Sequence, residues 1–280
     1  MIASGEARSL TPADIDSVAH LLVDPQVLQG PDGAVFLGPG AHHHLQRVLR
    51  VKDGETVTVT DGQGRWAETV VGKGFASGAL EQTGGVRYSP RRAVELEVGF
   101  ALTKADKPEW VIQKLTEIGI SSIVPLAADR SVVRWDAERS VRNVERFQQI
   151  AREALQQSRR VWLPRISSPQ SIDALVSGRL SAPSTSVGAT PPEFVTDGLV
   201  VHPVARADRG GEPLKRFVAR VLSPDTERIM VVIGPEGGWT DRERSILPGS
   251  VTVSDSVLRA ETAAIVVAAY LVEAFEAQAT

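Results

Sequence analysis

The chain has 280 residues, 42% hydrophobic and 23% charged, proportions of a soluble globular protein with a sizeable core. It contains no cysteine, which excludes disulfides and thiolate zinc sites and fits a reducing cytoplasm. The formal net charge of −3 excludes a protein coated in basic charge, so any nucleic-acid surface has to be a local patch. The N-terminus lacks the basic start, apolar core and small-residue cleavage site of a signal peptide. The longest apolar run, Ala263 to Val272, is roughly half of the ~20 residues that a membrane span needs, so it reads as a buried helix.

Residues 1–84 read as a small β-rich unit. Val35-Phe36-Leu37, Thr56 to Thr60 and Trp66 to Val71 are short strand candidates separated by Asp53-Gly54, Asp61-Gly62 and Gly72-Lys73-Gly74, the pattern of a small barrel. A helical insert is expected at His42 to Leu49, with Arg47, Arg50 and Lys52 clustered near its end. His42-His43-His44 cannot all face one ion on a helix and has no accompanying acid or cysteine at ligand spacing, so no metal site is expected. Residues 85–92, rich in Gly, Pro and Arg, form a linker, and 93–280 the second domain.

In that domain Val94, Leu96, Val98 and Phe100 alternate with Glu95 and Glu97, predicting a strand with one wetter face. Asp106-Lys107-Pro108-Glu109 starts a helix that Gly119 ends, and Ile120 to Leu126 returns as a strand. Strand, helix, strand in so short a span is a βαβ unit, so the sheet is parallel here. From Arg139 to Arg165 there are seven arginines against Glu145 and Glu153, a local excess of +5. Val144, Phe147, Ile150, Ala151, Ala154 and Leu155 form the apolar stripe of a helix, with Arg142, Arg146 and Arg160 opposite. A charged outer face is ordinary for such a helix, but the excess of one sign favours a phosphate-facing surface. Residues 178–198 read as a surface loop, Leu199 to Pro203 as a strand, and Leu214 to Leu222 as a second basic helix.

Two motifs near the end organise the rest. Ile229 to Ile233, an apolar run, is closed by Gly234-Pro235-Glu236-Gly237-Gly238, after which Thr240 to Glu243 has the form of a capping box. Val251 and Val253 suggest another strand, followed by a polar turn and Val257-Leu258-Arg259-Ala260-Glu261-Thr262-Ala263 leading into a helix. Ligands of open α/β sheets bind just beyond the carboxyl ends of the strands, where these glycines bring bare backbone close. The pair of motifs, in this order and spacing, resembles the RsmE family of SPOUT-class methyltransferases. The likeness extends to Lys104-Ala105-Asp106-Lys107, Gln113 to Gly119, Asp129-Arg130-Ser131, Gln157 to Arg160, His202-Pro203 and, in the first domain, His43 to Gly64.

The resemblance implies an α/β chain: a PUA-like barrel, then a parallel-sheet SPOUT domain with a trefoil knot in about 199–280. It implies S-adenosylmethionine as methyl donor, held by Ile233, Gly234, Pro235, Gly237 and Gly238, by His202 and Pro203, and by Val253, Ser254, Val257, Leu258 and Ala263. The expected substrate is a uridine of 16S ribosomal RNA, methylated at N3 by a homodimer. RNA contacts fall to Arg47, Arg50, Lys52, Lys104, Lys107, Arg130, Arg142, Arg146, Arg159 and Arg160. Uridine N3 needs its imide proton removed before it can attack, which makes Glu236 and Glu261 candidate bases and Arg259 a candidate stabiliser of the uridine anion. Glu261 reads equally as a first-turn acid complementing its helix, and Arg259 as a structural clamp. Arg159 stands where the family has Gly, and Val253-Ser254-Asp255-Ser256 where it has Leu-Gly-x-Arg. A ribose 2′-O-methyltransferase of the same class and a non-catalytic RNA-binding protein are the alternatives.

Overall fold

A computed structural model describes residues 10–29, 33–104, 107–180, 197–204, 211–221, 226–247 and 249–276. The chain divides into two compact units, Met1–Arg91 with Arg152–Leu163, and Arg92–Ala151 with Pro164–Thr280.

Among the described residues the first unit is a six-stranded sheet of β1 (Ala19–Leu22), β2 (Ala34–Phe36), β3 (Thr56–Thr60), β4 (Arg65–Val70), β5 (Ala79–Gln82) and β6 (Arg87–Tyr88). Its path is β1-β3-β4-β5-β2, with β6 on β4; β1 runs parallel to β3 and the other pairs are antiparallel. Leu21, Val35, Leu45, Val57, Val59 and Leu80 meet in its core. The helical insert forms as α1 (Pro39–His43) and a π turn at His44–Leu49, ending in the left-handed Arg50 at φ 54°. His42 lies edge-on to Phe75, at 4.9 Å between ring centroids.

The linear division left Arg152–Leu163 in the second domain, whereas its contacts place it in the first unit. Gln156 Oε1 accepts from the Leu22 amide at 3.1 Å, Trp162 Nε1 donates to the Ser89 carbonyl at 2.9 Å, and Leu163 N donates to Gly62 O at 3.0 Å. His20, buried on β1, bonds Thr58 Oγ1 and the Arg160 carbonyl, and burial lowers its pKa to about 4.

Among the described residues the second unit is an all-parallel seven-stranded sheet in the order β11-β13-β10-β12-β7-β8-β9. The strands are β7 (Glu95–Ala101), β8 (Ser122–Leu126), β9 (Arg165–Ile166), β10 (Asp197–Val204), β11 (Glu212–Pro213), β12 (Arg228–Ile233) and β13 (Ser250–Thr252). Its helices are α2 (Lys107–Ile118), α3 (Ala137–Ser158, shared with the first unit from Arg152), α4 (Ile172–Leu180), α5 (Leu214–Val221), α6 (Asp241–Ile246) and α7 (Ala260–Glu276). The βαβ reading of residues 94–126 corresponds to β7-α2-β8, with β7 and β8 parallel. Asp106, Leu222 and most of the 178–198 loop lie outside the described residues, while 178–180 continue α4 and 197–198 begin β10.

Two expectations change. Strand β7 has no wet face, because Glu97 is buried between Arg165 and Arg228, each 3.8 Å away. A parallel strand covered on both sides buries its acids only with cations beside them. Helix α7 is not buried all round. Ala263, Ala264, Val267, Ala268, Leu271, Val272 and Phe275 face inward, whereas Val266 is 41% exposed and Ala269 lies open. No helix among the described residues is long and apolar enough to cross a membrane.

Candidate active site

Strand order brings the two sequence motifs together. β10 lies between β12 and β13, so the loop after β12 and the loop after β13 emerge on either side of His202-Pro203. Together they enclose a cavity of about 400 Å³. Its walls include His202, Pro203, Ile233, Gly234, Pro235, Gly238, Val253, Ser254, Val257, Leu258 and Ala263, all expected there, with Glu236 and Arg259 at the same cavity. Gly237 does not line it; its carbonyl accepts from Arg130 Nη1 at 3.1 Å, and a Cβ there would lie 3.3 Å from Arg130 Cβ.

Three wall residues were not foreseen, Trp239, Arg244 and Ala260, and Ser256 joins Ser254 and Val257 on the same loop. Trp239 directly follows the glycine motif, and a large aromatic beside three glycines was the available signal. Its indole packs against Gly234 and stands edge-on to His202, at 6.3 Å between centroids. Burial first, and the Arg244 charge second, hold the His202 pKa below the usual histidine value, so this wall presents a neutral imidazole. His202 Nδ1 is buried without a hydrogen-bond partner among the described residues, an acceptor or donor left for a ligand.

The glycine loop is clamped from outside. Thr240 caps α6 and Glu243 completes the box, as the sequence predicts. Buried Glu243 also reaches the next loop, with Oε1 accepting from the Asp129 amide at 2.9 Å. Arg242 bridges Asp129 at 2.9 Å and Asp173 at 2.6 Å, and its hydrogen bond holds the Asp129 carboxyl below the usual carboxylate range. In the other loop Ser254 Oγ accepts from the Ser256 amide at 3.1 Å. Where the family has Gly, the chain thus makes a serine turn, without the positive φ that would call for glycine.

The expected RNA contacts do not share one environment. Arg47, Arg50, Lys52 and Lys104 are exposed, and the two arginines make no side-chain ion pair among the described residues. Arg142 and Arg146 are exposed but paired, with Glu138 and with Glu109 at 2.6 Å, so the local excess of charge was overcounted. Arg159 has a different task. It occupies the turn after α3 at φ 56°, and its guanidinium donates to the carbonyls of Ile15 at 2.7 Å and Ser17 at 2.5 Å. Those bonds offset the strain of a left-handed non-glycine residue. Arg160 is partly buried and gives its carbonyl to His20. Lys107 is turned to the two candidate bases, Glu236 and Glu261.

The sequence that forms this parallel sheet and its cavity, and part of the small β unit before it, matches known domains. Residues 90–272 match the family described as RNA methyltransferase domain, and residues 41–80 match the RNA methyltransferase PUA domain. The fold and site therefore define a chain of the RNA methyltransferase class. The ribosomal RNA small subunit methyltransferase E of Bacillus subtilis (strain 168) is 31% identical over 230 residues, covering 79% of this chain and 82% of that protein. The protein of the same description from Mycobacterium tuberculosis is 30% identical over 243 residues, covering 84% and 86%. This chain belongs to the ribosomal RNA small subunit methyltransferase E family. A crystal structure of such an enzyme from Neisseria gonorrhoeae, bound to S-adenosyl methionine, shares the fold with a TM-score of 0.69 at 19% identity, over 90% of this chain and 96% of that one.

Proposed function

We propose that the protein methylates N3 of a uridine in small-subunit ribosomal RNA, in the cytoplasm, with S-adenosylmethionine as donor. The observation that carries this reading is a cavity that joins both motif loops, the neutral His202 and Arg259, a cation with no ion-pair partner among the described residues. The cavity volume suits a nucleoside-sized ligand. Glycine-rich main chain, the Trp239 indole and the unpartnered His202 Nδ1 fit a purine with polar edges. The donor supplies a methyl group already activated by its sulfonium charge. The protein's residues align the acceptor, take the imide proton and stabilise the negative charge that follows. In this reading Glu236, which lines the cavity, takes the proton, and Arg259, which lines it from the other motif loop, stabilises the uridine anion through O2 or O4. The reading includes a knot in about 199–280, which the position of β10 between β12 and β13 supports.

Nucleoside mass spectrometry of small subunits treated with the protein and donor should show N3-methyluridine. A ribose-methylated nucleoside, or no product at all, would overturn the assignment. Arg259→Ala should lower kcat by about 100-fold, the usual cost of losing one anion-stabilising donor, with RNA affinity nearly unchanged.

The first unit supplies RNA affinity through Arg47, Arg50 and Lys52. Reversing Arg47 and Arg50 to Glu should flatten the salt dependence of binding by roughly one log–log unit for each phosphate left without its cation. Arg142→Glu should do less, since that cation is already paired with Glu138. Filter binding at several salt concentrations compares them. The open side of α7, with Val266 41% exposed, supports a homodimer in which a second copy covers it. Val266→Glu should then yield a monomer in sedimentation, against a dimeric wild type.

A further inference from the structure

The ammonium of Lys107 lies 3.2 Å from Glu261 Oε1 and 3.7 Å from Glu236 Oε1. It stands in the first turn of α2, where a cation opposes the helix dipole, so nothing in that helix favours it there. The two carboxylates do, and they differ in kind. Glu236 is 55% exposed on a loop and lines the cavity. Glu261 is 13% exposed on the first turn of α7, does not line the cavity, and has a buried Oε2 without a hydrogen-bond partner among the described residues. A carboxylate so enclosed is an anchor, and a glutamate on an exposed loop needs one. The other charged groups nearby are otherwise placed. Arg259 and Arg244 line the cavity without an ion pair to either glutamate among the described residues, Arg130 donates to the Gly237 carbonyl at 3.1 Å, and Lys114, further along α2, is bound to Glu117 at 2.8 Å.

We propose that Glu261 and Lys107 are positioning residues for Glu236, a role that rests on the uridine-N3 reading above. Glu261, fixed in helix α7, holds the ammonium, and the ammonium holds the Glu236 carboxylate at the cavity wall. There Glu236 accepts the imide proton: the N3–H bond breaks, an O–H bond forms on the carboxylate, and the electron pair stays on N3. Lys107 therefore acts through Glu236 and not through an RNA phosphate.

The test measures kcat and KM for RNA at saturating donor in Lys107→Met, Glu261→Gln, the double variant and Lys107→Arg. Each single change should lower kcat on the order of tenfold, a fraction of what a lost general base costs, with KM for RNA within about twofold. The double variant should be no slower than the worse single one, because residues acting as a unit are not additive. Lys107→Arg should keep most of the rate. If Lys107→Met does not fold, Lys107→Gln takes its place in the same comparison. Two independent, multiplying effects would overturn the proposal, as would a raised KM with unchanged kcat, the signature of a phosphate-binding lysine. Wild-type product identity separates the failures. N3-methyluridine with either of those results leaves the reading standing and removes the positioning pair; methylation at another atom, or no transfer, removes both.

Discussion

Gly234→Val is expected to abolish donor binding, and the reason is the Trp239 indole. A Cβ added at Gly234 would lie 2.9 Å from Trp239 Cε2, closer than real Cβ atoms come, and 3.1 Å from its Nε1, tighter than nine in ten such contacts. The indole has nowhere to go, since it is 5% exposed and packed among Ala101, Val124, Met230 and Leu247. Either the ring leaves the core or the end of β12 shifts, and both deform a wall of the cavity. Overpacking of this kind costs about 1–3 kcal/mol in stability, and the displaced wall should weaken donor affinity by about 100-fold or more. Gly238→Ala makes the comparison sharp. There the Cβ meets only Arg244 Nη2 at 3.8 Å, and the penalty is that of φ 67°, about 1 kcal/mol. Calorimetry on folded variants should rank Gly234 far above Gly238. Equal affinities, or unchanged affinity in folded Gly234→Val, would remove Trp239 from the site.

Glu243→Ala should produce the largest loss of stability among changes near the cavity. This glutamate is 1% exposed, and its two oxygens satisfy the Asp129 amide, the Thr240 amide and the Thr240 hydroxyl at 2.9–3.0 Å. Alanine strands two backbone donors at once, at about 1–3 kcal/mol each. For a domain of this size each kcal/mol lowers Tm by roughly 2–4 °C, so a fall of about 4–24 °C is expected. Glutamine should not rescue fully, because one of its two terminal atoms is itself a donor. Donor affinity should fall as well, since the same residue ties the glycine loop to the loop after β8. Thermal unfolding with and without donor measures both effects, and a shift below about 1 °C would show that water replaces the carboxylate.

What could be read from the sequence follows the range of the interactions. Strand β3 and the strand-to-loop edges at Gly234 and Leu258 announce themselves locally, through alternation, apolar runs and glycine. Nearly every expected cavity residue is at the cavity for that reason. Longer-range facts were hidden. Glu97 reads as a wet-face residue until Arg165 and Arg228 come beside it from other strands. The charge excess between residues 139 and 165 omitted Glu109 and Glu138, which lie outside that window but next to it in space. Lys107 reads as an RNA contact in the sequence, because its two partners sit more than a hundred residues away. Strand β1 is short and carries a histidine, so its pattern is weak, and what holds it is β3 and the carbonyl of Arg160.

The return of Arg152–Leu163 to the first unit sets a schedule for synthesis. His20 bonds a carbonyl 140 residues downstream, and Leu22 a side chain 134 residues downstream. A ribosome making this chain at about 5–20 residues per second releases the whole β sheet of the first unit well before those partners exist. For several seconds the nascent sheet has an open flank while βαβ material of the second unit follows it out of the ribosome. The N-terminal unit is thus first to be made yet completed only after the first βαβ of its neighbour. A fragment cut at the linear boundary, however well its strands pair, lacks the piece that closes it.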